Sequence, residues 1–400
     1  MRISSIEQFQ LGIDSILDQQ AKLNRTQQQL ATGKNVLSPS DDPAAATQLL
    51  KLSSLIARNT QHERNVTMAQ NELQLQESVL ASSGNALQRV RELVIQANNA
   101  TQSNASRAAI GDEINNLTDE LVQLANTKNA SGEYIFSGYN SRTPAFTRSG
   151  TGFEFQGDQG QRLLQVSEGS QLSVRDNGQD IFEGMTTGDG RFLLLSPATN
   201  AGSGLVKMTS RTDSTLDNYT VTFSQATPDD PVLYSVVGAE SGAVATGTYD
   251  SGAAIGFNGI TLEVEGAIAN GDSYQVNRSG RQSVFQSVQA VASALNTPND
   301  TSAAASKLVN DLGQALNTVD QAMEHLQSRR IIVGNRLQSL DTRIDYNADQ
   351  RIRLEKQVSE IQDLDYAEAI SKLNLQTTAL QAAQQAYVKT QGLSLFNFLR

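Results

Sequence analysis

Residues Leu52 to Val94 read LSSLIARNTQHERNVTMAQNELQLQESVLASSGNALQRVRELV, and the fold turns on how this stretch is read. Leu52, Asn59, Val66, Leu73, Leu80, Leu87 and Val94 recur every seven residues, and only Asn59 breaks the apolar row. A seven-residue apolar period is the seam of a long helix packed along another helix. The run Asn98 to Ser106 interrupts it. Ile114, Leu117, Leu121 and Leu124 then mark a shorter helix able to fold back.

The same period appears on both sides. Upstream, Ile16, Leu23 and Leu30 are spaced by seven, with Ile6, Phe9 and Ile13 leading in and Gly33 as a C-terminal stop. In Ser38-Pro39-Ser40-Asp41-Asp42-Pro43, Asp42 is a candidate N-cap and Pro43 fits a first helical position. Downstream there are three rows: Leu312, Val319, Leu326 and Val333; Leu340, Asn347, Leu354 and Ile361; and Tyr366, Leu373, Leu380 and Tyr387.

Glycine separates these flanks from the middle: 20 of the 29 glycines fall between residues 142 and 281. There Tyr219, Val221 and Phe223 alternate with Thr220 and Thr222, and Ile260, Leu262 and Val264 alternate with Thr261, Glu263 and Glu265, as half-buried strands do. The fold class predicted is α+β, with helical coiled-coil or bundle arms from both flanks and an inserted β-rich domain. Three domains are expected: 1–45 with 356–400 as a terminal coiled coil, 46–141 with 282–355 as a helical bundle, and 142–281 as a β-rich outer domain. Each terminal helix carries one apolar stripe, and packing supplies most helical stability. The ends are therefore expected to be disordered in the monomer and to fold against neighbours. Packing in that assembly is expected to use Ile6, Phe9, Ile13, Ile16, Leu23, Leu30, Ile370, Leu373, Leu380, Tyr387, Leu395 and Phe396.

Composition narrows the chemistry. The chain has 400 residues and a net charge of −11, which repels phosphate backbones and argues against nucleic-acid binding. Absence of cysteine removes disulfides, thiolate metal sites and Cys nucleophiles, and two histidines, His62 and His325, cannot form a multi-histidine metal site. No catalytic residue, cofactor or metal is expected. Asp176-Asn177-Gly178-Gln179-Asp180 lacks the later bidentate Glu of a calcium loop and reads as a hairpin turn. Gly157-Asp158-Gln159-Gly160 lacks the lysine of a phosphate loop. Glu263 and Glu265, the carboxylates a surface hydrolase would need, share one strand face rather than converging across a cleft. No apolar run is long enough to span a membrane, and the N-terminus lacks the apolar core of a secretory signal.

Three segments resemble the flagellin superfamily: Ser38 to Ala46; Ala86-Leu87-Gln88-Arg89-Val90-Arg91-Glu92-Leu93 with Gln96-Ala97-Asn98; and the tail from Asp365-Tyr366-Ala367-Glu368-Ala369-Ile370 through Leu393-Ser394-Leu395-Phe396 to Arg400. Within it, Asn126 to Tyr139 followed by Thr143-Pro144-Ala145-Phe146 is similar to the hook–filament junction branch, as are Arg162 to Phe182 and Phe257 to Leu262. This resemblance implies a non-enzymatic adaptor in a ring of its own copies. The ring would sit between the first hook–filament junction protein (hook-associated protein 1) and the flagellin filament, extracellular on the bacterial flagellum. It also implies passage through the flagellar type III export channel without a cleaved signal, and an export chaperone bound near residues 360–400. The alternative is a flagellin, the bulk filament subunit.

Overall fold

The structure, a computed structural model, describes residues 5–150, 152–212 and 217–398, without the side chains of 5, 6, 8, 9 and 390–398. Among these are seven helices: α1 (Ser5–Thr32), α2 (Pro43–Ala97), α3 (Asn104–Ala125), α4 (Gly178–Phe182), α5 (Val284–Leu295), α6 (Ser302–Gln362) and α7 (Tyr366–Phe398). The strands up to the midpoint are β1 (Phe146–Ser149), β2 (Gly152–Phe155), β3 (Leu163–Ser167), β4 (Ser170–Ser173), β5 (Met185–Thr186), β6 (Phe192–Leu195) and β7 (Leu205–Arg211). Those after it are β8 (Tyr219–Ser224), β9 (Leu233–Gly238), β10 (Gly242–Thr248), β11 (Ala254–Phe257), β12 (Ile260–Glu265), β13 (Ser273–Arg278) and β14 (Arg281–Gln282). This is the expected α+β architecture.

The helix boundaries follow from local chemistry. Asp42 Oδ1 accepts from the amides of Ala44 at 3.0 Å and Ala45 at 2.9 Å, satisfying two donors that the first turn leaves open. Gly33 closes α1 with φ +66°, a conformation that costs a side chain but not glycine. The rows Leu312–Val333 and Leu340–Ile361 lie on a single helix of 61 residues, α6.

The chain forms two compact units, residues 1–64 with 342–400, and residues 65–341. In the first, the polar interruptions of two apolar rows meet. Asn59 of α2 is 6% exposed, Asn347 of α6 is 1% exposed, and Asn59 Nδ2 donates to the Asn347 carbonyl at 2.7 Å. A polar pair inside an apolar seam tolerates few registers. In the second unit, α2 and α6 run antiparallel. Gln70 reaches Asp341, Arg330 clasps Glu77 and Arg91 binds Asp320, so numbers fall on α6 as they rise on α2. Between these polar contacts Val66, Leu73, Leu80, Leu87 and Val94 of α2, and Leu312, Val319, Leu326, Val333 and Leu340 of α6, are buried. Each fully buried Leu contributes about 1.5–3 kcal/mol relative to exposure.

Within the second unit the buried side chains fall into two cores. The first joins α2, α3, α5 and α6 to Phe136, Phe146, Phe153, Val166, Val174, Phe182 and Met185, so β1 to β5 belong with the helices. The second takes residues from Phe192 to Val276. It holds an antiparallel five-stranded sheet of order β10-β9-β8-β13-β6 and a three-stranded sheet of order β11-β12-β7. Tyr219, Val221 and Phe223 of β8 are fully buried while Thr222 and Ser224 face outward, as the alternation predicts.

Asp176 to Asp180 is not a hairpin turn. Asn177 Oδ1 accepts from the Asp180 amide at 2.8 Å and caps α4. Asp176 is buried and accepts from Gln76 Nε2 at 2.8 Å and Arg336 Nη1 at 2.9 Å. An Asx side chain serves a turn and a helix N-cap equally well; here Asn177 takes the cap, and Gln76 and Arg336 hold Asp176 beside it.

Asp217 organises the turn after β9. Its carboxylate accepts from Ser241 Oγ and from the amides of Ser241, Glu240 and Asn218. These bonds, led by the Ser241 hydroxyl, lower its pKa from 3.8 to about 2. A carboxyl depressed in the folded state stabilises above its unfolded pKa, and that stability is lost as pH falls through the folded value. The β8–β9 region of wild-type protein is therefore expected to lose thermal stability between pH 4 and 2, with Asp217→Asn less stable at neutral pH and flatter across that window. Thermal unfolding of both proteins over this range is the check.

Candidate functional site

The candidate site is the terminal helix pair, α1 with α7. Tyr387 lies against Gly12, where an added Cβ would come within 3.1 Å of its ring, and Tyr366 Oη lies against Gly33. Beyond the helices, the Asn35 amide donates to the Gln362 carbonyl at 2.8 Å and the Leu364 amide to the Gly33 carbonyl at 3.0 Å. The pair is antiparallel and closed by this short backbone clasp.

Ile16, Leu23 and Leu30 on α1 and Leu373, Leu380 and Tyr387 on α7 are half-buried along the facing stripes. Ile13, 43% exposed, and Ile370, 49% exposed, lie off them. The side chains of Ile6, Phe9, Leu395 and Phe396 lie outside the described residues. The other half of each stripe was missed: Gly12, Gln19 and Thr26 on α1, and Ala369, Gln376 and Ala383 on α7, alternating with the apolar residues at steps of three and four. A search for large apolar residues passes over Gly, Ala and Gln, while the alternating step was there to be followed. The seam is thin, and Gln376 Oε1 is buried in it without a partner.

A second apolar set lies outside the seam. Leu11 and Leu17 on α1, Leu375 and Val388 on α7, and Leu50 and Ile352 on α2 and α6 are all more than half exposed in this unit.

In the second unit, the segment Asn126 to Phe146 is a clasped loop. Asn126 exchanges two hydrogen bonds with the Phe146 backbone, at 2.8 and 2.9 Å. Arg175, its side chain 4% exposed, binds Glu72 of α2 at 2.9 Å and Glu133 of the loop at 2.6 Å. The Arg175 hydrogen bond holds the Glu133 carboxyl below its ordinary pKa. Phe146 sits among Phe155, Phe182 and Phe285 with ring centroids 4.9 to 5.7 Å apart. Together these contacts tie the loop to α2 and to the aromatic cluster.

His325 Nε2 lies 2.8 Å from the Asp180 carbonyl, and burial depresses its pKa. Glu263 pairs with Lys207 Nζ at 3.1 Å. Among the described residues no three His, Cys, Asp or Glu side chains gather as metal ligands, and no helix is long and apolar enough to cross a membrane.

Comparison with known proteins places this architecture. Residues 11–141 match the bacterial flagellin N-terminal helical region and residues 316–399 the bacterial flagellin C-terminal helical region. Flagellar hook-associated protein 3 of Escherichia coli (strain K12) is 26% identical over 397 residues, covering 99% of both chains. The crystal structure of the flagellar junction protein FlgL from Legionella pneumophila is 30% identical with a TM-score of 0.69, covering 74% of this chain and 99% of that one. The flagellar filament 41 kDa core protein of Borreliella burgdorferi is 36% identical over only 105 residues, which is 26% of this chain and 31% of that protein.

Proposed function

This chain belongs to the family of flagellar hook-associated protein 3, FlgL, and from that premise we propose that it is a structural adaptor joining the flagellar hook to the filament. The observation that carries the proposal is the extent of the likeness. It runs the length of hook-associated protein 3, β-rich middle included, whereas the likeness to the filament core protein stops at about a quarter of the chain.

The mechanism proposed is folding completed by assembly. The α1–α7 seam, with Gly12, Gln19, Thr26 and Gln376 among its contacts, gains little from burial alone. The exposed Leu11, Leu17, Leu375 and Val388 are apolar side chains that neighbouring copies in a ring would cover. A subunit that finishes itself only beside neighbours suits a route in which it is exported through the flagellar channel and held before that by a chaperone on residues 360–400. The ring would meet hook-associated protein 1 on one side and flagellin on the other, with residues 142–281 as an outer domain. Deletion of the gene tests this. Bare hooks with flagellin released into the medium are expected; normal filaments overturn the proposal. Absence of any flagellin from both cells and medium supports the second reading, that this chain is itself the filament subunit.

A further inference from the structure

The two cores of residues 65–341 do not merge. The β core from Phe192 to Val276 takes no residue from a helix, and the helical core takes Leu308, Leu312, Ala315 and Leu316 of α6 but nothing from 192–276. Between them runs a polar stripe of α6, with Phe192, Leu194, Leu205 and Val309 lining the space beside it. Ser306, Asn310, Gln314 and Thr318 stand at every fourth residue of α6, and each is hydrogen-bonded to backbone of the segment 188–206. Ser306 Oγ donates to the Ser203 carbonyl at 3.1 Å, and Asn310 Nδ2 to the Gly204 carbonyl at 3.0 Å. The amides of Val206, Leu194 and Gly188 donate to Asn310 Oδ1, Gln314 Oε1 and Thr318 Oγ1 at 2.9, 3.3 and 3.1 Å.

β6 and β7 are each the last strand of their sheets, and α6 satisfies one outward amide on each free edge, Leu194 of β6 through Gln314 and Val206 of β7 through Asn310. Beside the stripe is a cavity of about 500 Å³ reached by Asn98, Met208, Val309 and Gly313, and a Cβ on Gly313 would meet nothing within 4 Å.

We propose that Ser306, Asn310 and Gln314 of this stripe form a releasable joint, from which residues 192–278 undock as one folded body while Thr318 keeps its bond to Gly188 and the rest of the unit stays packed. Neutral hydrogen bonds exchange for water at small net cost, where an apolar interface would not, and the cavity already brings room and solvent to the seam. The two chain crossings that would act as the pivot hold each other without α6. The Thr187 amide donates to the Gly280 carbonyl at 3.0 Å, Ser279 Oγ to the Thr187 carbonyl at 2.6 Å, and β5 pairs with β14.

Hydrogen exchange on the full chain tests this. The Leu194 and Val206 amides are expected to exchange about tenfold or more faster than those of Val221 and Phe223 in β8. The chain has no cysteine, so Ser203→Cys with Ser306→Cys can be oxidised without competing thiols. Oxidation is expected to slow Leu194 and Val206 about tenfold and leave β8 unchanged. Asn310→Ala with Gln314→Ala should accelerate the same two amides alone. Protection of Leu194 and Val206 equal to that of β8, no response to the cross-link, or loss of β8 protection in the double alanine variant each overturn the joint.

Discussion

Leu380→Asp is expected to abolish filament attachment and to leave residues 65–341 folded. Leu380 is half-buried on α7 between Gln376 and Ala383, in a seam that gains little from its other members. The substitution removes apolar burial and places a carboxylate in the seam, together roughly 2–4 kcal/mol against α1–α7 pairing. A helix pair of this length, without a larger core, has no reserve to absorb that loss. Swarming assays and electron microscopy should find non-motile cells with bare hooks. Circular dichroism of the purified variant should retain the cooperative transition of the second unit, and Leu380→Met should behave as wild type. Normal motility of Leu380→Asp contradicts the assembly role of the pair.

Arg175→Met is expected to give the largest loss of folding stability, about 3–5 kcal/mol, because it removes the buried cation shared by Glu72 and Glu133 and leaves Glu133 only the more exposed Arg162. The exposed pair Arg148–Asp119 offers the contrast, and Arg148→Ala should cost less than about 1 kcal/mol. The effect also has a pH signature. Glu133 titrates below its ordinary 4.5 because Arg175 bonds its carboxylate, so the stabilisation is present above that value and is lost as pH falls through the folded pKa. The difference in thermal midpoint between wild type and Arg175→Met should narrow below pH 4.5. A constant difference down to pH 3 would place the effect in packing and not in charge.

What the sequence made legible was what repeats. The seven-residue rows located α2 and α6, Asp42 and Gly33 set helix boundaries, and the alternation at Tyr219–Phe223 located β8. Facing partners are non-local and were not legible. Asn59 stood out as a break in its row, yet only its meeting with Asn347, nearly three hundred residues on, explains it. The glycine-rich middle read as one block because turn chemistry is the same throughout. The division of its buried side chains between two cores depends on which strands reach α5 and α6. At the site, the large half of each terminal stripe was readable, while Gly12, Ala369 and Gln376 carry no apolar signal of their own.

Labelling of intact flagella tests the central claim most directly. An epitope inserted in the exposed turn at Gly150, decorated with gold-conjugated antibody and viewed by electron microscopy, should place label at one position per flagellum, between hook and filament. Label distributed along the filament would contradict a junction role and make this chain the filament subunit.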